Sequence, residues 1–152
     1  MFEKKIIGRR KMKYHFKIHQ EETGYWGECL ELEGCVSQGQ DMKELEKNLK
    51  DSLNAYLFDP DNEIVFPFSD PGISKEKDIL LIEAEPSIAF SNYLRFLRKN
   101  HHLTQEETAK KMGYKATFGY QRLESGKNTV NLTTLVKLKK VFPELSLDFI
   151  LK

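Results

Sequence analysis

A strict alternation of polar and apolar residues runs through Lys13-Tyr14-His15-Phe16-Lys17-Ile18-His19. A period of two is typical of a half-buried β-strand, with Tyr14, Phe16 and Ile18 on its apolar face. His15 and His19 share the opposite face with lysines, and we expect both imidazoles to be exposed. Turn residues at 21–24 lead to a second apolar stretch at 25–30, which predicts the partner strand of a hairpin.

The next elements are a short strand and a long helix. Glu33-Gly34 predicts a turn into a strand around residues 35–37, and Asp41 is a helix N-cap with Glu44 three residues later. Apolar residues then recur every three or four positions as far as Asp59-Pro60, which indicates one helix face. These residues are Met42, Leu45, Leu49, Leu53, Tyr56 and Leu57. After a proline-containing stretch, Ile79-Leu80-Leu81-Ile82 is a continuous apolar run, and we expect a central strand covered on both faces.

The last third of the chain has helical periodicity throughout. We expect five short helices: one near 88–99 with Phe90, Leu94 and Leu97 inward, two joined by a tight turn at Gly113, one at about 132–141 and one at about 147–151. Thr104 with Glu107 forms a capping box at the start of the second helix. Two short helices joined in this way are typical of a helix-turn-helix, whose usual ligand is the DNA major groove.

The predicted fold class is therefore α+β: a small β-β-β-α-β sheet domain followed by an all-α domain of five helices. The 152-residue composition, 39% apolar and 31% charged, is that of a soluble globular protein. The net charge of +1 hides an asymmetry, because residues 12–86 carry −10 and residues 87–152 carry +7. We place the domain boundary near Glu85-Pro86-Ser87 and treat residues 1–11 as a basic extension of undecided role.

Membrane and export signals are missing from the sequence. No stretch approaches the roughly 18 to 20 apolar residues of a bilayer span, and no apolar core of a signal peptide follows the charged first residues. We therefore expect a cytoplasmic protein with Cys29 and Cys35 as reduced thiols. Their spacing does not suit zinc, and we expect no metal and no cofactor.

The helical third resembles the Xre/Cro-type helix-turn-helix. The resemblance rests on Leu94-x-x-Leu97-Arg98, Leu103-Thr104-Gln105-x-Glu107-x-Ala109, Gly113, Glu124-x-Gly126-Lys127 and Leu135-x-x-Leu138. The stretch from Gly113 to Glu124 is one residue longer than is usual in the family, so we count positions back from Glu124. That count places Tyr120 and Leu123 on the core face of the recognition helix.

The same resemblance implies a set of DNA contacts. Arg122 would pair with guanine and Gln121 with adenine, while Thr117 or Phe118 would pack on a thymine methyl. Phosphate contacts are expected elsewhere on the same surface. The complete set is Gln105, Lys115, Thr117, Phe118, Gln121, Arg122, Lys127 and Asn128.

The first half resembles the HicB antitoxin domain in the order of its motifs. These are the strand at 14–18, Gly24-Tyr25-Trp26, the turn Leu32-Glu33-Gly34-Cys35, Ser37-Gln38-Gly39 and the helix from Asp41 to Phe58. Glu33 stands where the family commonly has proline, and Trp26 is bulkier than usual. The resemblance implies a partial RNase H-like fold and a type II antitoxin that blocks a small basic HicA-like toxin, an mRNA-cleaving enzyme.

The expected toxin contacts are Tyr25, Trp26, Glu28 and Glu31, in a domain whose negative charge suits a basic partner. The helix-turn-helix family usually binds pseudo-palindromic operators as a dimer. We predict a homodimer or higher assembly through apolar residues near the carboxyl end: Phe142, Leu145, Leu147, Phe149 and Ile150.

Two other functions remain open on sequence grounds. A stand-alone, ligand-responsive repressor would use the small sheet to bind a metabolite, but the sequence has no Gly-rich phosphate loop. A metal-dependent nuclease would need clustered carboxylates to activate water. Glu28, Glu31, Glu33 and Asp41 are candidates, but only Glu31 and Glu33 share a strand face. We therefore predict that the chain is not an enzyme.

Overall fold

The computed structural model describes residues 13–62, 77–127 and 129–148. Its first half contains strands β1 (Lys13–Glu21), β2 (Gly24–Cys29) and β3 (Val36–Gly39), helix α1 (Met42–Phe58) and strand β4 (Ile79–Glu83). Its second half contains helices α2 (Pro86–Asn100), α3 (Gln105–Lys111), α4 (Phe118–Glu124) and α5 (Leu132–Val141). The α+β class and the order of these elements are confirmed. The extension 1–11 and most of the predicted last helix lie outside the described residues.

The four strands form one antiparallel sheet in the order β3-β2-β1-β4. Helix α1 packs on one face of this sheet through a stripe of leucines at four-residue spacing: Leu45, Leu49, Leu53 and Leu57. Gly39 permits a close approach, since a Cβ there would lie 2.4 Å from the backbone nitrogen of Leu45. Asp41 caps the helix, accepting a 2.8 Å hydrogen bond from the Glu44 N–H. The predicted helix face is thus mostly correct, but Met42 is exposed.

The prediction of a strand at residues 79–82 is confirmed, but the predicted central position of that strand in the sheet was wrong. β4 pairs with β1 alone among the described strands, so it is an edge strand rather than a central one. Leu81 is 39% exposed on the sheet face opposite α1. An unbroken apolar run does not distinguish an edge strand from a central one, because the neighbours that cover it are distant in sequence.

The expectation that His15 is exposed was also wrong. His15 is only 7% exposed, and its Nδ1 lies 2.6 Å from Oε1 of Glu31. The Glu31 carboxylate also accepts a 3.0 Å hydrogen bond from the backbone N–H of His15. The segment after β2 therefore lies against the start of β1 and contacts the imidazole.

Helix α2 is the central element of the second half. Seven consecutive residues of α2 from Ala89 to Arg95 are buried, because the helix is covered on more than one side. Its Tyr93, Leu94 and Leu97 pack in one core with α4 and α5. The capping box of α3 is present as predicted: Thr104 Oγ1 accepts from the Glu107 N–H, and the Glu107 carboxylate accepts from the Thr104 N–H.

The two halves share a single hydrophobic core. Polar contacts reinforce their junction: Asn92 Nδ2 donates to the Leu57 carbonyl at 2.9 Å, and Asn54 Oδ1 accepts from the Glu85 N–H at 2.8 Å. Arg95 donates to the Asp59 carbonyl at 3.3 Å. Because Asn92 is buried, its hydrogen bond satisfies a carbonyl at the end of α1 that water does not reach easily. The sheet and the helices of the second half therefore pack directly against each other.

Candidate functional site

The loop between α3 and α4 sets the orientation of the second motif helix. Six residues separate Lys111 from Phe118, and Gly113 adopts a positive φ of 81° just after α3. Helix α4 then buries Tyr120 and Leu123, as the count back from Glu124 predicts. The remaining side of α4 faces solvent, which leaves it available to a groove of DNA.

A buried carboxylate ties α4 to the helices around it. The Glu124 side chain is 4% exposed and accepts hydrogen bonds from Arg98 Nε at 2.5 Å and Arg98 Nη2 at 3.2 Å. It also accepts from Tyr120 Oη at 2.8 Å and from Gln105 Nε2 at 2.8 Å. In addition, Ser91 Oγ donates to the Glu124 backbone carbonyl. Charge-assisted hydrogen bonds to a forked guanidinium are directional, so this network fixes α2, α3 and α4 relative to one another.

The network shifts the proton affinities of its members. Burial alone would lower the pKa of Arg98, but the hydrogen bond and the charge of Glu124 outweigh burial and raise it. Burial, and after it the negative charge of Glu124, raises the pKa of Tyr120 well above its ordinary value. Arg98 is therefore a permanent cation here, and Tyr120 stays a neutral donor.

Gln105 links the network to the exposed side of the motif. Its Nε2 donates to Glu124, and its Oε1 accepts a hydrogen bond from Gln121 Nε2 at 3.3 Å. The amide of Gln105 is thus oriented by a buried group on one side and an exposed one on the other. Gln121 itself is exposed, so both side chains reach the surface on which the sequence predicts DNA contacts.

Phe118 and Arg122 form a pair on the exposed side of α4. Phe118 is 64% exposed, and the guanidinium carbon of Arg122 lies 5.6 Å from the centre of its ring. One helical turn separates the two residues, which brings their side chains to the same face. A cation over an aromatic ring is stabilised by the ring quadrupole. The sequence suggested both residues as base contacts but gave no sign that they touch each other.

The other predicted DNA contacts lie around this helix. Lys115 and Lys127 are exposed, and Thr117 is half-buried at the N-cap of α4. Asn128 lies outside the described residues. Gln105, Phe118, Gln121 and Arg122 are thus brought together, with lysines on either side of them in sequence. Arg98 and Glu124, which position these residues, belong to the quoted family motif but were not predicted to have a site role.

The sheet face opposite α1 is the second candidate surface. The rings of His19 and Trp26 stack there with centroids 4.0 Å apart and an interplanar angle of 12°. His19 Nε2 lies 3.0 Å from Glu28 Oε1 on the neighbouring strand. Val36 and Leu81 add exposed apolar side chains. Among the described residues no helix packs on this face, so it presents an aromatic pair, a carboxylate and apolar groups to solvent.

The four predicted toxin contacts fall into three different positions. Trp26 and Glu28 lie together on this open face. Tyr25 belongs to the opposite face, where it packs against the core beneath α1. Glu31 is buried with only 7% of its side chain exposed, and its carboxylate is engaged by His15.

The predicted dimer residues divide in a similar way. Phe142 and Leu145 are buried in the core of their own chain, so the monomer already uses these two apolar side chains. Leu147 is half-buried against that core. Phe149 and Ile150 lie outside the described residues. The excess of apolar residues that suggested an interface is therefore smaller than the sequence indicated.

Two kinds of feature are absent from the part of the chain that the structure describes: a metal site and a membrane-spanning helix. Within them, no three His, Cys, Asp or Glu side chains converge in a way that would hold a metal ion. None of the helices they form has the length and apolarity needed to cross a lipid bilayer.

The sequence of this chain is similar to those of known proteins in both halves. Residues 94–150 match the helix-turn-helix family. The chain is also similar to a UPF0150 protein of Helicobacter pylori, with 33% identity over 75 residues that cover 49% of this chain and 92% of that protein. The helix-turn-helix match spans α3 and α4 together with their supporting helices, and identifies this part of the chain as a DNA-binding regulatory domain.

Proposed function

Because the chain belongs to the UPF0150 family and carries a helix-turn-helix domain, we propose that it is a HicB-type antitoxin that also represses transcription. In this role the sheet half binds and blocks a small basic mRNA-cleaving toxin. The helical half binds the operator of the shared promoter. The chain itself has no catalytic role and needs no cofactor, and its place of action is the cytoplasm.

The observation that carries the proposal is the pairing of two oppositely charged halves with two different exposed surfaces. Residues 87–152 carry +7 and display Gln121 and Arg122 on a short helix of the matched motif. Positive charge beside such a helix favours association with the phosphate backbone. Residues 12–86 carry −10 and would repel DNA, but that charge favours association with a basic, RNA-binding protein.

Toxin binding is proposed to centre on the open sheet face. Trp26 and Glu28 are the predicted contacts on this face, and the stacked His19 extends the same patch. Aromatic side chains held rigidly by a neighbour make effective anchors in protein interfaces, since they lose little entropy on binding. Tyr25 on the opposite face and the buried Glu31 side chain would support this surface rather than touch the toxin first.

The experiment begins with a tagged full-length chain, recovered from its native cell and analysed by intact mass. We expect a stoichiometric small basic protein, whose RNA cleavage in purified form is inhibited by adding the chain. Trp26→Ala combined with Glu28→Lys should relieve that inhibition and leave operator binding unchanged. Arg122→Ala should do the reverse, and the two variants serve as controls for each other.

Other outcomes would favour other functions. Recovery of the promoter DNA without any small protein would favour the stand-alone, ligand-responsive repressor. A captured protein whose RNA cleavage is unaffected by the chain would contradict the antitoxin role. Operator binding is expected to need a homodimer, which sedimentation at the DNA-binding concentration would detect.

A further inference from the structure

The exposed pair on α4 has two members with different chemistry and no other described partner. Phe118 is 64% exposed, and the guanidinium of Arg122 lies against its ring. Within the described residues, no carboxylate lies within ion-pair distance of Arg122, whereas the guanidinium of Arg98 donates to the Glu124 carboxylate and to the Leu103 carbonyl. The donors of Arg122 are therefore available to a ligand.

The major groove offers complementary groups for both side chains. Guanine presents O6 and N7, two acceptors that a guanidinium can bind in bidentate fashion. A phenyl ring has no such donors or acceptors and suits an apolar partner. The thymine methyl is the apolar group on the major-groove edges of the four base pairs.

Contact between the two side chains limits how far apart their bases can lie. Successive bases along a strand are about 3.4 Å apart. The Arg122 guanidinium carbon and the Phe118 ring centre are 5.6 Å apart, so the pair cannot reach across several base pairs. The ring also restrains the guanidinium before binding, which reduces the entropy lost when it docks on a base.

We infer that Phe118 and Arg122 act as one reading unit that selects a thymine directly beside a guanine in each operator half-site. Arg122 reads the guanine through O6 and N7, and Phe118 covers the methyl of the neighbouring thymine. The inference rests on the proposed operator binding, and it does not depend on the toxin.

Selection from a random-sequence duplex library with the full-length protein supplies the test. The enriched half-site should contain adjacent thymine and guanine. Phe118→Ala should lose the preference at the thymine and keep it at the guanine, whereas Arg122→Ala should lose the guanine. Phe58→Ala removes an exposed ring from the end of α1 and should leave the enriched sequence unchanged.

Base analogues then test each contact atom by atom. Replacing the selected thymine with deoxyuridine deletes only the methyl, and should weaken wild-type binding about fourfold, the effect expected for one buried methyl group. The same replacement should have no effect on Phe118→Ala. Replacing the guanine with 7-deazaguanine removes N7 and should weaken binding by wild type, but not by Arg122→Ala.

Each alternative result has a distinct meaning. A selected site without adjacent thymine and guanine, or equal deoxyuridine effects in wild type and Phe118→Ala, would overturn the reading unit while leaving operator binding in place. Failure of the wild type to select any sequence would overturn both the reading unit and the repressor role. Inhibition of the toxin would still be measured separately.

Discussion

Among the described residues, a glutamate side chain is buried in each half of the molecule, and the two are held by different partners. Glu124 in the helical half is 4% exposed and faces the guanidinium of Arg98, with Tyr120 and Gln105 as further donors. Glu31 in the sheet half is 7% exposed and is bound by the backbone N–H and the imidazole of His15. The Glu124 carboxylate is paired with a permanent cation, whereas the Glu31 carboxylate is bound by the backbone and the imidazole of one residue in β1.

The two carboxylates connect different parts of the structure. Glu124 joins three helices and, through Gln105, reaches Gln121 on the proposed DNA surface. Glu31 fastens the segment after β2 to the start of β1 through the backbone N–H of His15. A change at Glu124 should therefore alter the arrangement of whole helices, whereas a change at Glu31 should loosen one loop.

The largest expected effect comes from removing the cation in the helical half. Arg98→Met leaves Glu124 buried without its counter-charge, and should lower the free energy of unfolding by about 3–5 kcal/mol in urea denaturation. Adding Glu124→Gln should recover part of the loss, because the amide carries no unpaired buried charge and its single oxygen can still accept from Tyr120 or Gln105. The exposed Arg122→Met is the matched control, with an expected change within about 0.5 kcal/mol. Equal losses of unfolding free energy in Arg98→Met and Arg122→Met would contradict a structural role for the Glu124 network.

Deleting the carboxylate of the sheet half should cost less. Glu31→Ala leaves the buried His15 backbone N–H and imidazole without their acceptor, and should lower the free energy of unfolding by about 1–3 kcal/mol. Trp26 is the single tryptophan of the chain, so its fluorescence reports unfolding of this half. Glu33→Ala, at an exposed position two residues later, should change little. If Glu31→Ala lowered the free energy of unfolding more than Arg98→Met does, the expected order of the two carboxylates would be wrong.

Contacts at the junction between the halves determine whether the two halves unfold as one unit or separately. Asn92→Ala removes the donor to the Leu57 carbonyl and should destabilise the protein by about 1–2 kcal/mol. Because the core is shared, Trp26 fluorescence and helical circular dichroism should show coincident urea transitions in wild type, and both should shift together in the variant. Asn100→Ala at the exposed end of α2 is the control. Two separate transitions in wild type would make the halves independent domains.

The smallest effect is expected at the exposed cap of α3. Hydrogen bonds from the Thr104 backbone and hydroxyl lower the pKa of Glu107 below its ordinary value. A carboxyl group with a depressed folded-state pKa adds stability above its unfolded-state pKa, and that stability is lost as the pH falls through the folded value. Glu107→Gln should therefore reduce stability slightly at pH 7 and less in strong acid, as measured by urea denaturation at the two pH values. Equal losses at both pH values would contradict the cap contribution.

Local patterns predicted much of the fold correctly. The alternation at residues 13–19 gave β1, the Asp41 cap and leucine spacing gave α1, and the Thr104 capping box marked the start of α3. The spacing back from Glu124 also identified Tyr120 and Leu123 as buried. These features depend on backbone periodicity and on residues within four positions of one another, which a sequence displays directly.

The errors and omissions concern contacts between residues far apart in the chain. The edge position of β4 depends on which strand pairs with it, and the burial of His15 depends on a glutamate sixteen residues later. The pairing of Arg98 with Glu124 spans twenty-six residues. Several acidic residues lie within reach of a folding chain, so neither partner could be selected from sequence alone.

The sequence by itself therefore determined the elements, the separation of charge between the halves and the helix-turn-helix motif. Only the tertiary structure decided that Glu124 orders the helices around α4, that Trp26 stacks on His19, and that the two halves share one core. The physical reason is the range of the forces involved. Periodicity and capping act within one or two turns of chain, whereas burial and hydrogen-bond partners are settled when distant segments pack against one another.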